Sequence, residues 1–262
     1  MEHKISVIVP VCGRLNRLKQ TVESILLQNH DDFEVIVVEN NSDNPEIIEE
    51  FIGTLKDSRF LYVSLTDCAN ANVARNYGAS ISVGKYIAFL DSDDIWEPDH
   101  LSSNLVLFSE SKQHIDFIYS GAKISDGKTF YTRPSRDIDT NESAVDYLVG
   151  FNRGYAQTSS FVLLKESFDK VKWDPELKRT QDLDFFIRAN DLLSVKNKPE
   201  ITSIILWCKD DVRNYDIESM CNFFYKYKKR MNNLSKIRYL LICIKTAIEI
   251  KQFYKLLRFF SK

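Results

Sequence analysis

Four short apolar runs punctuate the first ninety residues, and a stretch of helical spacing separates each from the next. Ile5 to Val11 is nearly all β-branched or apolar, as in a parallel strand covered on both faces. Leu15, Leu18, Val22, Ile25 and Leu26 then recur at helical intervals over Leu15 to Gln28. Phe33 to Val38 reads as a second buried strand, closed by the turn residues Asn40 to Pro45. A helix over Pro45 to Leu55, a strand at Phe60 to Leu65, a helix over Val73 to Ser82 and a strand at Tyr86 to Leu90 complete the alternation. This rhythm predicts an α/β fold, a mostly parallel, doubly wound central sheet flanked by helices, with ligands at the carboxyl ends of its strands. Beyond Pro98 the pattern loosens. A helix (Asp99 to Ser111), strands at Phe117 to Ser120 and Ser160 to Leu164, a polar loop or hairpin at Asp126 to Asn141 and a helix at Leu183 to Leu193 are expected. From Ile217 onward two or three basic helices follow.

Composition supplies the material for such a core, 44% of the 262 residues being hydrophobic. The formal net charge of −2 conceals an asymmetry. Residues 215–262 hold eleven Lys or Arg against three Asp or Glu, an excess of eight positive charges, so residues 1–214 carry about −10. The expected organisation is therefore an acidic body over 1–214, regular in its alternation over about 1–98 and looser over about 99–214, and a basic, amphipathic helical tail over 215–262. Five scattered cysteines without a C-x-x-C pair predict a reducing compartment and no zinc ribbon. The opening Met-Glu-His-Lys and the short apolar run ending near Arg14 lack the layout of a secretory leader. Tyr239 to Ile250, broken by Lys245 and Glu249, is too short to span a bilayer. A cytoplasmic protein, peripheral on the inner face of the membrane, is expected.

The chemistry concentrates at strand ends. Phe89-Leu90-Asp91-Ser92-Asp93-Asp94 places three carboxylates where a buried strand terminates. They repel one another unless a cation joins them, and hard oxygen ligands suit Mg²⁺ or Mn²⁺ bridging to phosphates. A solvated acidic turn capping the next helix is the plain alternative. Glu39 sets a carboxylate at a second strand end, Arg75 lies on the helix before the aspartate strand, and Asp182 opens a helix with Arg188 further inside. Loop polarity, surface charge and helix capping are the ordinary readings of these three.

In order and spacing this set resembles family 2 glycosyltransferases of the GT-A fold, in particular bacterial enzymes of O-antigen and other surface polysaccharide synthesis. The resemblance spans roughly residues 4–195 and implies a GT-A catalytic domain over 1–214, with a nucleotide-sugar half over about 1–98 and an acceptor half over about 99–214. It rests on Ile-Ser-Val-Ile-Val-Pro-Val, the Ser24-Ile25-Leu26-Leu27-Gln28 helix end, Val-Val-Glu-Asn-Asn-Ser, Ala-Arg-Asn-Tyr-Gly, Phe-Leu-Asp-Ser-Asp-Asp and Gln-Asp-Leu-Asp-Phe-Phe-Ile-Arg. It implies that Pro10 and Val11 line the base pocket and that Glu39 stands where the family has an aspartate bonded to uracil. Arg75 is implied near the base and diphosphate, Asp91 and Ser92 at the donor, Asp93 as the metal ligand and Asp182 as the general base. Cys12-Gly13 replaces the usual Tyr-Asn, Glu39 is one methylene longer than Asp, and Gln181 replaces a Glu. The last change removes a like charge and predicts that Asp182 ionises readily.

The resemblance further implies an inverting, metal-dependent transfer of a hexose from a UDP-sugar, UDP-glucose first and UDP-galactose next. The implied acceptor is a polyprenyl-diphosphate-linked saccharide at the cytoplasmic membrane surface, and the product a β-linkage. Thr158, Ser159 and Trp173 fall near the family's acceptor loops, with ordinary structural roles as the alternative. Two other functions compete. A nucleotide-sugar-forming nucleotidyltransferase needs a Gly-rich loop after the first strand, and Pro10-Val11-Cys12-Gly13-Arg14 has one glycine. A non-catalytic nucleotide- or membrane-binding scaffold would be marked by loss of Asp93 or Asp182. Four isolated histidines give no metal-ligand spacing, and an acidic body disfavours nucleic acid.

Overall fold

A computed structural model describes residues 4–65, 70–125, 128–207, 216–252 and 254–256. The first half of the chain holds β1 (Ile5–Val11), α1 (Leu15–Leu26), β2 (Phe33–Asn40), α2 (Pro45–Thr54), β3 (Phe60–Leu65), α3 (Ala71–Ile81), β4 (Tyr86–Phe89), β5 (Asp94–Trp96) and α4 (His100–Glu110). The second half continues with β6 (Phe117–Ser120), β7 (Ala122–Ser125), β8 (Phe130–Arg133), α5 (Ala144–Val149), a 3-10 turn (Thr158–Ser160), β9 (Val162–Leu164), α6 (Lys165–Val171) and α7 (Gln181–Leu192). It closes with β10 (Val195–Lys198), β11 (Ser203–Leu206), α8 (Ile217–Tyr227) and α9 (Asn233–Glu249).

The main sheet has seven strands in the order β10-β6-β9-β4-β1-β2-β3. Its β1–β2, β2–β3, β1–β4 and β6–β10 ladders are parallel, and only β9 runs against its neighbours β4 and β6. Both faces are covered, which explains the unbroken apolar character of β1. Val7, Val9 and Val11 pack into one cluster with α1 and α2 residues such as Val22 and Ile48, while Ile8 points to the other. On that second face α3 approaches β1 so closely that a Cβ on Gly78 would lie 2.6 Å from Ile8 Cγ2. The expected architecture is therefore observed.

The structure adds what periodicity does not announce. β5, β11, β7 and β8 form a second, four-stranded sheet, and the polar stretch after Ser125 is the return arm of the β7–β8 hairpin. β5, α5, α6, β10 and β11 have no counterpart in the sequence reading.

α8 and α9 carry the basic segment, and their inner faces are part of the core. Ile217, Cys221, Phe223, Phe224, Tyr227, Tyr239, Cys243 and Ala247 share one apolar cluster with Val145, Phe185 and Phe186. The outer face of α9 is different: Leu234, Ile237, Leu241, Ile244 and Ile248 are all exposed. Phe259 and Phe260 at the end of the basic tail lie outside the described residues, as do Cys68 and Cys208. Among the described residues no helix is long and apolar enough to cross a membrane.

Candidate active site

The carboxyl ends of β1, β2 and β4 meet at one edge of the sheet. Pro10 and Val11 finish β1, and because the β4 ladder stops at Ile8, Pro10 removes no donor from that pairing. Gly13 (φ +65°) and Arg14 (φ +53°) then turn the chain sharply into α1. The Gly13 N–H donates to Ser42 Oγ at 2.6 Å, fastening this loop to the one after β2. Glu39 is only 2% exposed, and its carboxylate accepts from the Ser42 N–H and from Ser64 Oγ (2.7 Å). The longer side chain thus organises the loop floor with both of its oxygens.

The aspartate turn after β4 divides into three roles. Asp91 Oδ1 accepts from Arg75 Nη2 at 2.6 Å. Arg75 is 4% exposed, lies 4.6 Å over the Trp173 ring, and also reaches Asn72 Oδ1 (3.0 Å) and Gln181 Oε1 (3.4 Å), while its Nε has no partner. A buried arginine held on three elements is no surface charge. Ser92 and Asp93 are partly exposed, and Asp93 Oδ2 meets Arg14 Nη1 at 2.9 Å. Asp94 faces inward instead. Its Oδ2 accepts from Ser159 Oγ (2.6 Å) and Gln157 Nε2 (3.1 Å), and Oδ1 from the Leu206 N–H (3.3 Å). Ser159 Oγ in turn accepts from the Asp91 N–H at 3.1 Å, so one hydroxyl ties the aspartate turn to the 3-10 turn. Burial, followed by the charges of Asp93 and Asp91, pushes the Asp94 carboxyl well above the ordinary range.

Among the described residues no three His, Cys, Asp or Glu side chains form a metal cage. The donor set is instead one or two hard carboxylates at a site open to a ligand, the arrangement by which Mg²⁺ is held together with substrate phosphates. Asp93 fits such an ion, with Asp91 beside it.

Asp182 lies in the first turn of α7, whose cap, Thr180, takes a left-handed conformation (φ +57°). Its Oδ1 accepts from the Leu183 N–H at 2.9 Å. Burial raises its pKa to about 6; the Leu183 hydrogen bond opposes this, the Asp91 charge adds to it and Arg75 counters it. The expectation that Gln181 leaves Asp182 readily ionised needs correction here. Desolvation outweighs both the missing like charge and the favourable helix terminus. Gln181 instead receives Arg75 and donates to Leu177 O at 3.0 Å, linking Arg75 to the helix that carries Asp182.

Two residues on, Asp184 anchors α7 from behind. It accepts from Tyr227 Oη (2.6 Å) and Arg188 Nε (2.7 Å) and pairs with Lys226 Nζ (2.6 Å). Burial alone would raise its pKa, but these bonds outweigh it and hold the carboxyl below the ordinary range. Thr158, Ser159 and Trp173 are buried. Trp173 stacks on Phe185 at 4.3 Å beneath Arg75, and Ser159 serves the aspartate turn, so both are supports.

A cleft of about 190 Å³ opens beside Asp182, walled by Arg133, Arg153, Arg238, Tyr155, Val149 and Tyr239 among others. A larger hollow of about 760 Å³ beside Lys85, Lys112 and His114 flanks the amino end of β4 and contains none of the groups above. Sequence reasoning assembled Asp91, Asp93, Arg75 and Asp182 but missed Arg14 on Asp93, Ser159 and Gln157 on Asp94, and the three arginines. Arg14 alone carried a signal, following the loop at the end of β1.

Comparisons with known proteins identify the family. The model for Glycosyl transferase family 2 matches residues 6–172. The amylovoran biosynthesis glycosyltransferase AmsB of Erwinia amylovora is 32% identical over 194 residues, 71% of this chain and 64% of AmsB. WfaP of Escherichia coli, a UDP-Glc:alpha-D-GlcNAc-diphosphoundecaprenol beta-1,3-glucosyltransferase, is 33% identical over 126 residues, 45% of this chain and 49% of WfaP. The chain thus spans just under two thirds of AmsB and about half of WfaP. Residues 1–349 of S. aureus TarS, solved with UDP-GlcNAc, superpose with a TM-score of 0.67 at 17% identity, covering 92% of this chain and 71% of that one. With the GT-A sheet in place, a carboxylate turn at the end of β4 and a family model matching well over half its length, this chain belongs to glycosyltransferase family 2.

Proposed function

We propose that this glycosyltransferase moves a hexose from a UDP-sugar, UDP-glucose first and UDP-galactose next, to a hydroxyl of a polyprenyl-diphosphate-linked saccharide. The setting is synthesis of bacterial O-antigen or another surface polysaccharide, a reading supported by what AmsB and WfaP are named for. The observation that carries it is Asp182. Its pKa of about 6 suits a general base at neutral pH, and it lies within the electrostatic reach of Asp91 and Arg75, where a donor diphosphate would sit.

Pro10 and Val11 border the base pocket, with Glu39 beneath it bracing the β2 loop. Asp93, next to Asp91 and Ser92, would hold Mn²⁺ or Mg²⁺, which neutralises charge on the departing diphosphate when bound. Arg75 reinforces that from a fixed position, its unpartnered Nε adding a donor. Asp182 takes the acceptor proton as the hydroxyl attacks the anomeric carbon. With one base and no second nucleophilic carboxylate in place, a single displacement inverts the centre and gives a β-linkage from an α-linked donor.

For the membrane, α9 supplies the surface. Its exposed stripe of Leu234, Ile237, Leu241, Ile244 and Ile248 is bordered by Lys236 and Lys245, a pattern suited to lying on anionic lipid. Phe223 and Phe224 are core residues, Leu240 is half-buried against the core, and Lys226 and Arg230 are paired with Asp184 and Asp191.

The test is a panel of nucleotide sugars with Mn²⁺ and a lipid-diphosphate-linked GlcNAc acceptor, reading both released UDP and glycosylated lipid. Transfer from a UDP-hexose that disappears in Asp182→Asn supports the reading. Equal turnover in that variant, or release of pyrophosphate from a nucleoside triphosphate instead, would overturn it.

A further inference from the structure

The cleft beside Asp182 has an unusual wall. Arg133 ends β8, Arg153 lies in the loop after α5, and Arg238 projects from the second turn of α9. Three segments separate in sequence thus bring three guanidinium groups to one hollow, and among the described residues Asp182 is its only acidic lining residue. Among the described residues none of the three forms an ion pair. Arg133 lies 5.7 Å over the Tyr155 ring, and Arg238 Nη1 donates to Val149 O at 2.5 Å. Burial and then Arg133 lower the Arg153 pKa, and burial and then Arg153 lower that of Arg238, so the cations are close enough to oppose one another. Such convergence is unfavourable until an anion joins it, and guanidinium forks match phosphate oxygens geometrically.

Position narrows the anion's identity. Asp182 feels the charges of Asp91 and Arg75 and also lines this cleft, whereas among the described residues Asp91, Asp93 and Arg75 do not line it. At about 190 Å³ the hollow is smaller than the roughly 300 Å³ minimum for pockets that enclose a whole ligand, so it suits a head group. Its remaining wall is largely apolar, with Leu148, Val149 and Ile242, and the adjoining face of α9 bears the exposed stripe, Leu234 and Leu241 being one turn from Arg238. We propose that Arg133, Arg153 and Arg238 form an acceptor subsite that grips the diphosphate of a lipid-linked saccharide and sets the sugar hydroxyl against Asp182. This rests on the acceptor class proposed above and assigns the residues that select it.

The test uses the full chain and three readouts. With UDP and Mn²⁺ saturating the donor site, farnesyl diphosphate should bind, and Arg153→Gln and Arg238→Gln should each weaken it about ten- to a hundredfold. Arg153 is exposed and makes no bond that the fold requires, so its variant keeps the result interpretable if Arg238→Gln loosens α9. Acceptor-independent hydrolysis of the UDP-sugar should stay within about twofold of wild type. Transfer to GlcNAc-diphosphate-farnesol should fall mainly through KM, while transfer to an uncharged GlcNAc alkyl glycoside should not change. Unaltered farnesyl diphosphate binding in both variants would overturn the subsite. So would a loss confined to sedimentation with phosphatidylglycerol vesicles, which would assign the arginines to bilayer head groups. Loss of UDP-sugar hydrolysis in wild type would instead count against the glycosyltransferase reading itself.

Discussion

Replacing Asp182 by Asn should abolish transfer and at the same time make the protein harder to unfold at neutral pH. In the folded chain burial lifts this carboxyl from 3.8 to about 6. A folded-state pKa above the unfolded one means that the folded state binds the proton more tightly. The associated stability is fully present below about pH 4 and is lost as pH rises through about 6. At pH 7.5 the ionised group therefore destabilises the fold by up to about 3 kcal/mol, from two pKa units at 1.36 kcal/mol each. Partial exposure reduces that to about 1–3 kcal/mol. Asn keeps the shape and can retain the bond from the Leu183 N–H, but it has no charge to desolvate. For a chain of this size the gain corresponds to an increase in Tm of about 3–10 °C at pH 7.5, vanishing near pH 4. Turnover should fall by roughly 10²–10⁴-fold, the usual loss for a general base. Thermal unfolding at the two pH values, set beside the pH dependence of kcat/KM, checks all of this. Wild-type kcat/KM should rise with pH through about 6. A variant no more stable at pH 7.5 than at pH 4 relative to wild type, or a wild-type profile flat from pH 5 to 8, would refute the reasoning.

Three further outcomes are expected. Asp184→Ala should destabilise the chain by about 3–5 kcal/mol in urea titrations, because Arg188, Lys226 and Tyr227 lose a buried acceptor. Gly78→Ala should cost about 1–3 kcal/mol in the same assay, since its methyl group would overlap Ile8; a neutral effect would mean that α3 is free to shift. Leu241→Glu together with Ile244→Glu should reduce sedimentation with phosphatidylglycerol vesicles while leaving UDP-sugar hydrolysis intact, and unchanged sedimentation would exclude the α9 stripe as the lipid contact. Removing residues beyond Asp216 is a poorer test, because it would strip the cluster around Phe185 and Phe186 of its α8 and α9 cover.

The parallel half of the sheet was legible because each strand from β1 to β4 is buried on both faces or bounded by turn residues, and each helix between them repeats at helical spacing. β5, β10 and β11 are three or four residues long, too short for any period to register. α5 is six residues, all buried, and so shows no polar face to contrast with an apolar one. In the site, Asp91, Asp93 and Asp182 could be found because they end strands or open helices. Asp94 belongs to the same run, but its inward turn depends on Ser159 and Gln157, more than sixty residues away. Arg133, Arg153 and Arg238 belong to three different elements, and nothing local to any of them points to the others. The pKa of Asp182 is hidden for a related reason: the neighbour Gln181 is visible in the sequence, and the packing that desolvates the carboxyl is not.

The reversed direction of β9 has a consequence for how such a chain can diversify. In a parallel strand the segment leaving it reaches the ligand edge, whereas β9 delivers the segment that precedes it, so residues 150–161 arrive there from the hairpin and α5. The strands β1 to β4 close their own ladder from Ile5 to Phe89 without that segment. Lengthening the chain at exposed positions such as 139–141 therefore shifts no donor-side register, and loop closure makes a few added residues inexpensive. On the function proposed above, such an insertion should alter the acceptor surface and leave nucleotide binding intact. An insertion there that abolished UDP binding would show the two halves to be less separable than their strand order suggests.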